Sequence, residues 1–313
     1  MAKKSRWKKV TALVLGIIML LLICCMGYNK VMLMKEKKIC KPLGIMVNVN
    51  GHQMSIYKEG NGEKTIVFMS GSGTCSPILD FRTLSSRLSD KFRIVIIEKF
   101  GYGFSDTTDD SRDIDTILSQ TRAGLQAAEI KGPFILCPHS MSGIEALYWQ
   151  QLYPEEVEAI VGLDMAVKET YANFKPGSVM LSVSTLVARS GILRMIPGSS
   201  ESDAIKYGTL TEKEKDIYRA IFYQKTQTKN MVNEIKMIHE NAEKLDDASK
   251  VKVPIILFSS NGNGTGFDSD YWLQCQDNFI KAVPNGKHIK LKCTHYVHDI
   301  EYERIANVIR ASF

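Results

Sequence analysis

The sequence predicts an α/β protein: a mostly parallel sheet with helices on both faces, a helical cap insertion, and an N-terminal transmembrane helix ahead of it. Three observations carry this. Short, largely apolar runs such as Thr65 to Met69, Arg93 to Ile97 and Val253 to Ser259 alternate with helical patterns. Strands buried on both faces look like this, and they belong to parallel sheets sandwiched between helices. Between Val167 and Lys252 the alternation stops, and methionine-containing helical patterns follow one another without strands. Ahead of everything, Val10 to Tyr28 is apolar apart from Thr11 and two glycines, which is the length needed to cross a bilayer core.

Taken in order, five cationic residues (Lys3, Lys4, Arg6, Lys8, Lys9) precede the apolar run. Charge on that side predicts a cytoplasmic N-terminus and an extracytoplasmic body, although Lys30 to Lys41 is also basic. No A-x-A-like site follows the run, so an uncleaved signal anchor is expected rather than a cleaved signal peptide. A lipidated Cys24 or Cys25 is disfavoured by the bulk of Ile23. Residues 1–41 form the anchor and basic linker, and 42–313 the globular body, with the cap at about 167–252. The formal net charge of +6 belongs to the anchor: ten Lys/Arg lie in residues 1–41 against Glu36 alone, leaving 30 basic and 33 acidic residues beyond. A slightly acidic body excludes a nucleic-acid partner.

In the body, Ile45 to Asn50 and Gln53 to Lys58 alternate apolar and polar around Asn50-Gly51, a strong hairpin signal. Next come the strand Thr65 to Met69, the loop Ser70-Gly71-Ser72-Gly73-Thr74, and a helical stretch Ile78 to Leu88. The strand Arg93 to Ile97 leads into a glycine-rich loop through Gly101 and Gly103, then a helix from Ile114 to Ile130. After the elbow region come a helix Ile144 to Tyr153 and a strand Ala159 to Leu163 ended by Asp164. The cap patterns are Val179 to Ile196, Glu212 to Asn230 and Met231 to Leu245. The strand Val253 to Ser259, the helix Tyr271 to Ala282, the strand His288 to Leu291 and the helix Tyr302 to Phe313 close the chain. Seven cysteines, two of them in the apolar run, show no C-x-x-C spacing. Neither a disulfide framework nor a zinc site is signalled, and free thiols are expected. Free thiols suit a reducing compartment, which pulls against the outward placement of the body.

The chemistry concentrates at Pro138-His139-Ser140-Met141-Ser142-Gly143. An apolar run, then small residues around one serine, then a helix describe a strand, a sharp turn and a helix with Ser140 at the apex. A nucleophilic serine is held this way, in a strained conformation with small neighbours that let strand and helix approach. An ordinary strand-to-helix connection with a capping serine is the competing explanation. A serine nucleophile needs a base. Of six histidines, His295 is placed for it, in the loop between the last strand and the last helix. His139 adjoins the nucleophile but points along the strand, and His298 packs beneath the loop. His52, His239 and His288 lie in hairpin, cap and strand, where structural roles are expected.

From about Ile45 to Phe313 the chain resembles the α/β-hydrolase superfamily in four places. Ser70 to Gly73 stands where the family has its His-Gly oxyanion loop, Gly101-Tyr102-Gly103-Phe104-Ser105 matches its G-x-G-x-S loop, Pro138 to Gly143 its elbow, and His295 to His298 its terminal histidine loop. Ser70 replaces the usual histidine and Pro138 the usual glycine. Ser140 in place of an aspartate argues against the dehalogenase and epoxide hydrolase branches, and Cys137 lies too early to be the nucleophile. The resemblance implies a Ser-His-Asp triad, with backbone N–H groups of Ser72 and Met141 as the oxyanion hole and no cofactor or metal. Two positions compete for the acid: Asp164, directly at the end of the strand before the cap, and Asp268, beyond the Asn261 to Gly266 loop. Asp164 is preferred because a rigid strand terminus orients a histidine better than a glycine-rich loop. The activity implied is hydrolysis of a carboxylic ester, lipid-derived if the anchor holds the site near the bilayer. The alternatives are a proline-iminopeptidase-like aminopeptidase, using Glu169, Glu201, Glu212 or Glu214 to bind an α-amino group, and a non-catalytic binding protein that keeps the fold.

Overall fold

The computed structural model describes residues 2–313. Helix α1 (Ala2–Glu36) contains the apolar run and extends beyond it at both ends, because the flanking lysines and Met32 to Met34 are themselves good helix formers. Within Trp7–Glu36 an 18-residue window has a mean hydropathy of 2.8, and the helix is long and apolar enough to cross a membrane.

Strands β1 (Ile45–Val49) and β2 (His52–Glu59) form the expected hairpin. Asn50 and Gly51 both take positive φ, 54° and 86°, which is what a two-residue turn of this hand requires and what this dipeptide tolerates. Strand β3 (Thr65–Met69) leads into two short helices, α2 (Pro77–Asp80) and α3 (Arg82–Ser85). The single helix expected over Ile78 to Leu88 is thus broken, with the fully buried Phe81 between the two turns. Strand β4 (Arg93–Glu98), helix α4 (Ile114–Ala127), strand β5 (Phe134–Pro138), helix α5 (Ser142–Leu152) and strand β6 (Val157–Leu163) continue the alternation.

The segment after β6 is helical, as its patterning predicts. Helix α6 (Ser178–Ser190) stops short of the predicted Ile196 because Gly191 turns left-handed at φ 83°, the common way a helix ends. A 3-10 turn, Ile192–Met195, and the short α7 (Asp203–Lys206) follow. Helices α8 (Glu212–Lys225) and α9 (Lys229–Glu243) are separated where Gln227 takes φ 58° and Thr228 caps α9 by accepting from Met231 N–H at 3.3 Å. The chain then returns to the sheet through β7 (Ile255–Ser259), α10 (Ser269–Ala282), β8 (Gly286–Lys290), α11 (Val297–Ile300) and α12 (Tyr302–Ser312).

The eight strands are ordered β1-β2-β4-β3-β5-β6-β7-β8, with β2 antiparallel to both neighbours and the rest parallel. Alternate residues of each strand feed separate cores. Val67, Val95 and Leu136 pack with Leu147, Trp149 and Phe279 of α5 and α10. On the other face Ile66, Phe68 and Ile96 pack with Phe81, Leu84 and Ile309 of α2–α3 and α12. Each such side chain contributes about 1.5–3 kcal/mol when fully buried. The order reverses at β3, whose neighbours β4 and β5 follow it in sequence on opposite sides. In open sheets of this kind the strand ends at such a point form the crevice where ligands bind, and the β3 and β5 loops end there.

A third apolar cluster joins the cap to this crevice, with Cys75 and Leu79 packed against Ile205, Ile217, Tyr218 and Ile221. A buried ionic network also crosses between body and cap. Glu234 of α9 accepts from Arg112 Nη2 at 2.5 Å and from Tyr102 Oη at 2.6 Å, and Lys99 Nζ lies 3.4 Å away. Burial works against the Glu234 carboxylate, but Lys99 and Arg112 together hold its pKa below the usual value. We expect Glu234→Ala to destabilise the chain by about 3–5 kcal/mol, because Arg112 stays buried without its counter-charge and Lys99 keeps only Glu145, 3.5 Å away. A loss below about 1 kcal/mol in urea unfolding would show the network to be energetically idle.

Candidate active site

Ser140 stands between β5 and α5 with φ 54°, the left-handed region a serine enters only under constraint. The constraints are visible. Its carbonyl accepts from Ala166 N–H at 2.8 Å and Gly143 N–H at 3.0 Å, and the hydroxyl of Ser142 donates to the carbonyls of Met69 and His139 at 2.6 and 2.8 Å. A Cβ on Gly143 would sit 2.2 Å from the Ala166 carbonyl. The small residues of the elbow are therefore demanded by backbone proximity.

The structure brings three of the candidate residues together. Ser140 Oγ is 2.9 Å from His295 Nε2, and His295 Nδ1 is 2.7 Å from Asp164 Oδ2. With the proton on Nδ1 directed at the carboxylate, Nε2 is left to accept from the serine hydroxyl. Asp164 is fully buried at the end of β6 with φ 44°. Its other oxygen accepts from Ser260 N–H, Trp272 Nε1 and Gln276 Nε2 at 3.0 to 3.1 Å. Burial pushes its pKa up, but these hydrogen bonds and the adjoining His295 outweigh it and hold the carboxyl below its usual value. Asp268, the other acid considered, is exposed and caps α10 by accepting from Tyr271 N–H at 3.0 Å.

Trp272 and Gln276 carry no sequence signal for this position. They lie over one hundred residues from Asp164, and only the packing of α10 against β7 and β8 delivers them. The Asn261 to Gly266 loop also has a positional role. Three of its glycines take positive φ, and the Asn263 carbonyl accepts from His295 N–H at 3.0 Å. Its glycines let the chain turn back on itself, and its backbone holds the histidine loop.

The other histidines have structural places, and His52 opens β2 with its ring edge-on to Phe100 at 5.9 Å. His139 is buried among the rings of His295, Tyr296 and His298, with centroids 4.5 to 4.8 Å apart, and burial pushes its pKa well down. His298 Nε2 meets Asp80 at 3.1 Å, while Tyr218 Oη donates to the other Asp80 oxygen, also at 3.1 Å. His239 bonds the Tyr171 carbonyl, and His288 lies between Ser259 and Asp277. Cys137 is buried, and burial pushes its thiol well above the range in which a thiolate forms.

The loop Ser70 to Thr74 closes over the serine. A Cβ on Gly71 would lie 2.6 Å from Ser140 Cβ and 3.3 Å from its Oγ. Among the described residues, no protein acceptor is found for the N–H of Ser72 or of Met141, so both are available to a ligand. Beside His295 lies a cavity of about 280 Å³, walled by Gly73 and Cys75 of the body and Glu201, Asp203 and Tyr218 of the cap. A larger cleft of about 470 Å³, lined by Arg122, Trp149 and Glu156, lies away from Ser140 and offers no nucleophile–base pair. We expect Gly71→Ala to lower any turnover by about 10²-fold, since displacing a reacting group by about 1 Å has that effect. Unchanged turnover in a folded Gly71→Ala protein would mean that the loop gives way freely.

No protein-family model matches the chain. It is 33% identical over 312 residues to the uncharacterized protein YbdG of Bacillus subtilis, covering 96% of both chains. A shorter match, 25% over 118 residues, covers 38% of this chain and 41% of the 2-(acetamidomethylene)succinate hydrolase of Mesorhizobium japonicum. Among solved structures, the enol-lactonase of Burkholderia xenovorans is similar with a TM-score of 0.64 at 14% identity, over 85% of this chain and 98% of that one. An eight-stranded, mostly parallel sheet, a strained serine between strand and helix, a histidine past the last strand and these relatives agree: the chain belongs to the α/β-hydrolase superfamily.

Proposed function

We propose that the chain is a serine hydrolase acting on carboxylic esters. The observation that carries this is the hydrogen-bonded line from Ser140 Oγ through His295 to Asp164, at 2.9 and 2.7 Å. In this reading His295 takes the serine proton as Oγ attacks the ester carbonyl, and the Asp164 carboxylate keeps the imidazole in the right tautomer. The alcohol leaves with a proton from His295, and water releases the acyl group by the same route. The oxyanion is held by the N–H groups of Met141 and Ser72, each worth on the order of 3 kcal/mol in the barrier.

The aminopeptidase alternative needs an acid free to bind an α-amino group. Glu201 lines the cavity but forms a two-pronged pair with Arg219, at 2.7 and 3.0 Å. Glu214 is used in capping α8, Glu212 is paired with Lys215 on the surface, and Glu169 is exposed and does not line the cavity beside His295. Esters are therefore the better fit.

The test is fluorophosphonate labelling of the full chain in detergent, followed by turnover on acyl esters and on amino-acyl amides. Labelling with ester turnover supports the proposal, and amide turnover alone selects the peptidase. A folded chain that resists the probe and turns over neither substrate is a binding protein. In the same reading residues 1–41 anchor the enzyme and Lys3 to Lys9 keep its N-terminus cytoplasmic. Protease added to intact cells should then digest the body, and digestion only after lysis would reverse the orientation.

A further inference from the structure

We propose that the cap is itself a lipid-contacting surface: α6 beds its outer face in the bilayer that α1 crosses. The length of the span sets the depth. Lys8 and Lys9 mark the N-terminal edge of the apolar run, and every residue from Val10 to Leu21 is exposed along α1. At 1.5 Å per residue these 12 or so residues span about 18 Å, well short of the ~30 Å hydrocarbon core. Residues Leu22 to Tyr28 are needed to complete the crossing.

Those residues are where the cap packs. Leu22, Cys25, Asn29, Met32 and Glu36, one stripe of α1, are covered to varying degrees. Asn29 Nδ2 donates to the Arg189 carbonyl near the end of α6 at 3.4 Å. A Cβ on Gly191 would lie 2.9 Å from the Cys25 carbonyl. The end of α6 therefore sits level with the last part of the span that must be in hydrocarbon.

The outer face of α6 suits that depth. Val179, Met180, Val183 and Leu186 are 76, 77, 54 and 66% exposed, and Arg189 is the helix's only charged residue. Met195 and Ile196, just beyond, are about half exposed. A contiguous apolar surface of this kind on a soluble body marks an interaction site. The charged pairing lies further along α1. Arg194 pairs with both oxygens of Glu36 at 2.6 and 2.7 Å and with Asn29 Oδ1 at 2.7 Å. Lys30, Lys35, Lys37 and Lys38 stand at the same end of α1, where cations meet anionic headgroups.

This placement bears on access to the serine. The chain runs from α6 through the 3-10 turn directly into Ser199 to Asp203, which wall the cavity beside His295. A lipid-seated α6 puts that wall at the bilayer surface. The contact surface itself does not depend on the hydrolase reading.

The test uses the full chain in vesicles of phosphatidylcholine and phosphatidylglycerol, with and without acyl chains brominated to quench tryptophan. In a Trp7→Phe background, whose emission from the buried Trp149 and Trp272 is subtracted, Val183→Trp reports on α6 and Lys213→Trp, on the exposed start of α8, on the aqueous face. We expect the probe at position 183 to lose several-fold more emission to brominated lipid than the probe at 213. Equal, weak quenching at both positions would overturn the proposal. So would an unquenched, blue-shifted probe at 183 in a chain that sediments as a dimer, because a second copy would then cover the face. Val183 is already half exposed, so the substitution does not disturb a core.

Discussion

Ser140→Ala is expected to abolish fluorophosphonate labelling and to lower ester turnover by about 10⁴-fold or more, leaving the rate near background. In the proposed mechanism, removing the nucleophile eliminates the acyl-enzyme route as a whole rather than one contact, which is why single substitutions in such a set cost nearly as much as removing all of it. Ser140 is partly exposed beside His295, so loss of its hydroxyl leaves the fold in place. The thermal midpoint should hold, because alanine keeps the Cβ and the φ of 54° and only the hydroxyl's hydrogen bond to His295 is lost. Turnover within tenfold of the unsubstituted chain would mean that another group is the nucleophile. Buried Cys137 is a poor candidate for it, since burial opposes its ionisation.

Asp164→Asn should reduce turnover by about 10⁴-fold at neutral pH, whereas Asp268→Asn should leave it within a few-fold. The amide at position 164 offers an N–H where His295 Nδ1 needs an acceptor, so the imidazole is driven to the wrong tautomer. At Asp268 the substitution exchanges one good helix cap for another. The same pair separates in acid. The folded-state pKa of Asp164 lies below its unfolded value, so the stability it contributes is present in full above the unfolded value near pH 4. That contribution is lost as pH falls through the folded value. Urea midpoints of the unsubstituted chain should therefore fall more steeply below about pH 4 than those of Asp164→Asn. Parallel curves would show that the carboxylate contributes nothing as an ion. Equal kinetic losses at both aspartates would remove the basis for choosing Asp164.

Much of the fold was legible because its signals are local. Asn50-Gly51 specifies its own turn, the apolar runs of β3, β4 and β7 specify strands buried on both faces, and the small residues after Ser140 specify a close strand-to-helix approach. Element ends were less legible. Gly191 ends α6 by turning left-handed, and Gln227 with Thr228 divides α8 from α9, whereas the apolar periodicity runs across both boundaries. In the candidate site, Ser140 and His295 stood out by their place relative to strands. The acid did not, since Asp164 and Asp268 both follow a strand and both are flanked by plausible helix starts.

By itself the sequence determined the order of strands and helices, the apolar N-terminal helix and the elbow around Ser140, since each depends on residues within about one turn or one strand of one another. The tertiary structure alone decided which carboxylate meets His295, 131 residues away from Asp164, and recruited Trp272 and Gln276 to hold that carboxylate in place. It alone joined Glu234 to Arg112 and Lys99, and set the exposed face of α6 beside the apolar helix α1. Contacts of this kind depend on the crossing of packed elements, a geometry that no local pattern of residues encodes.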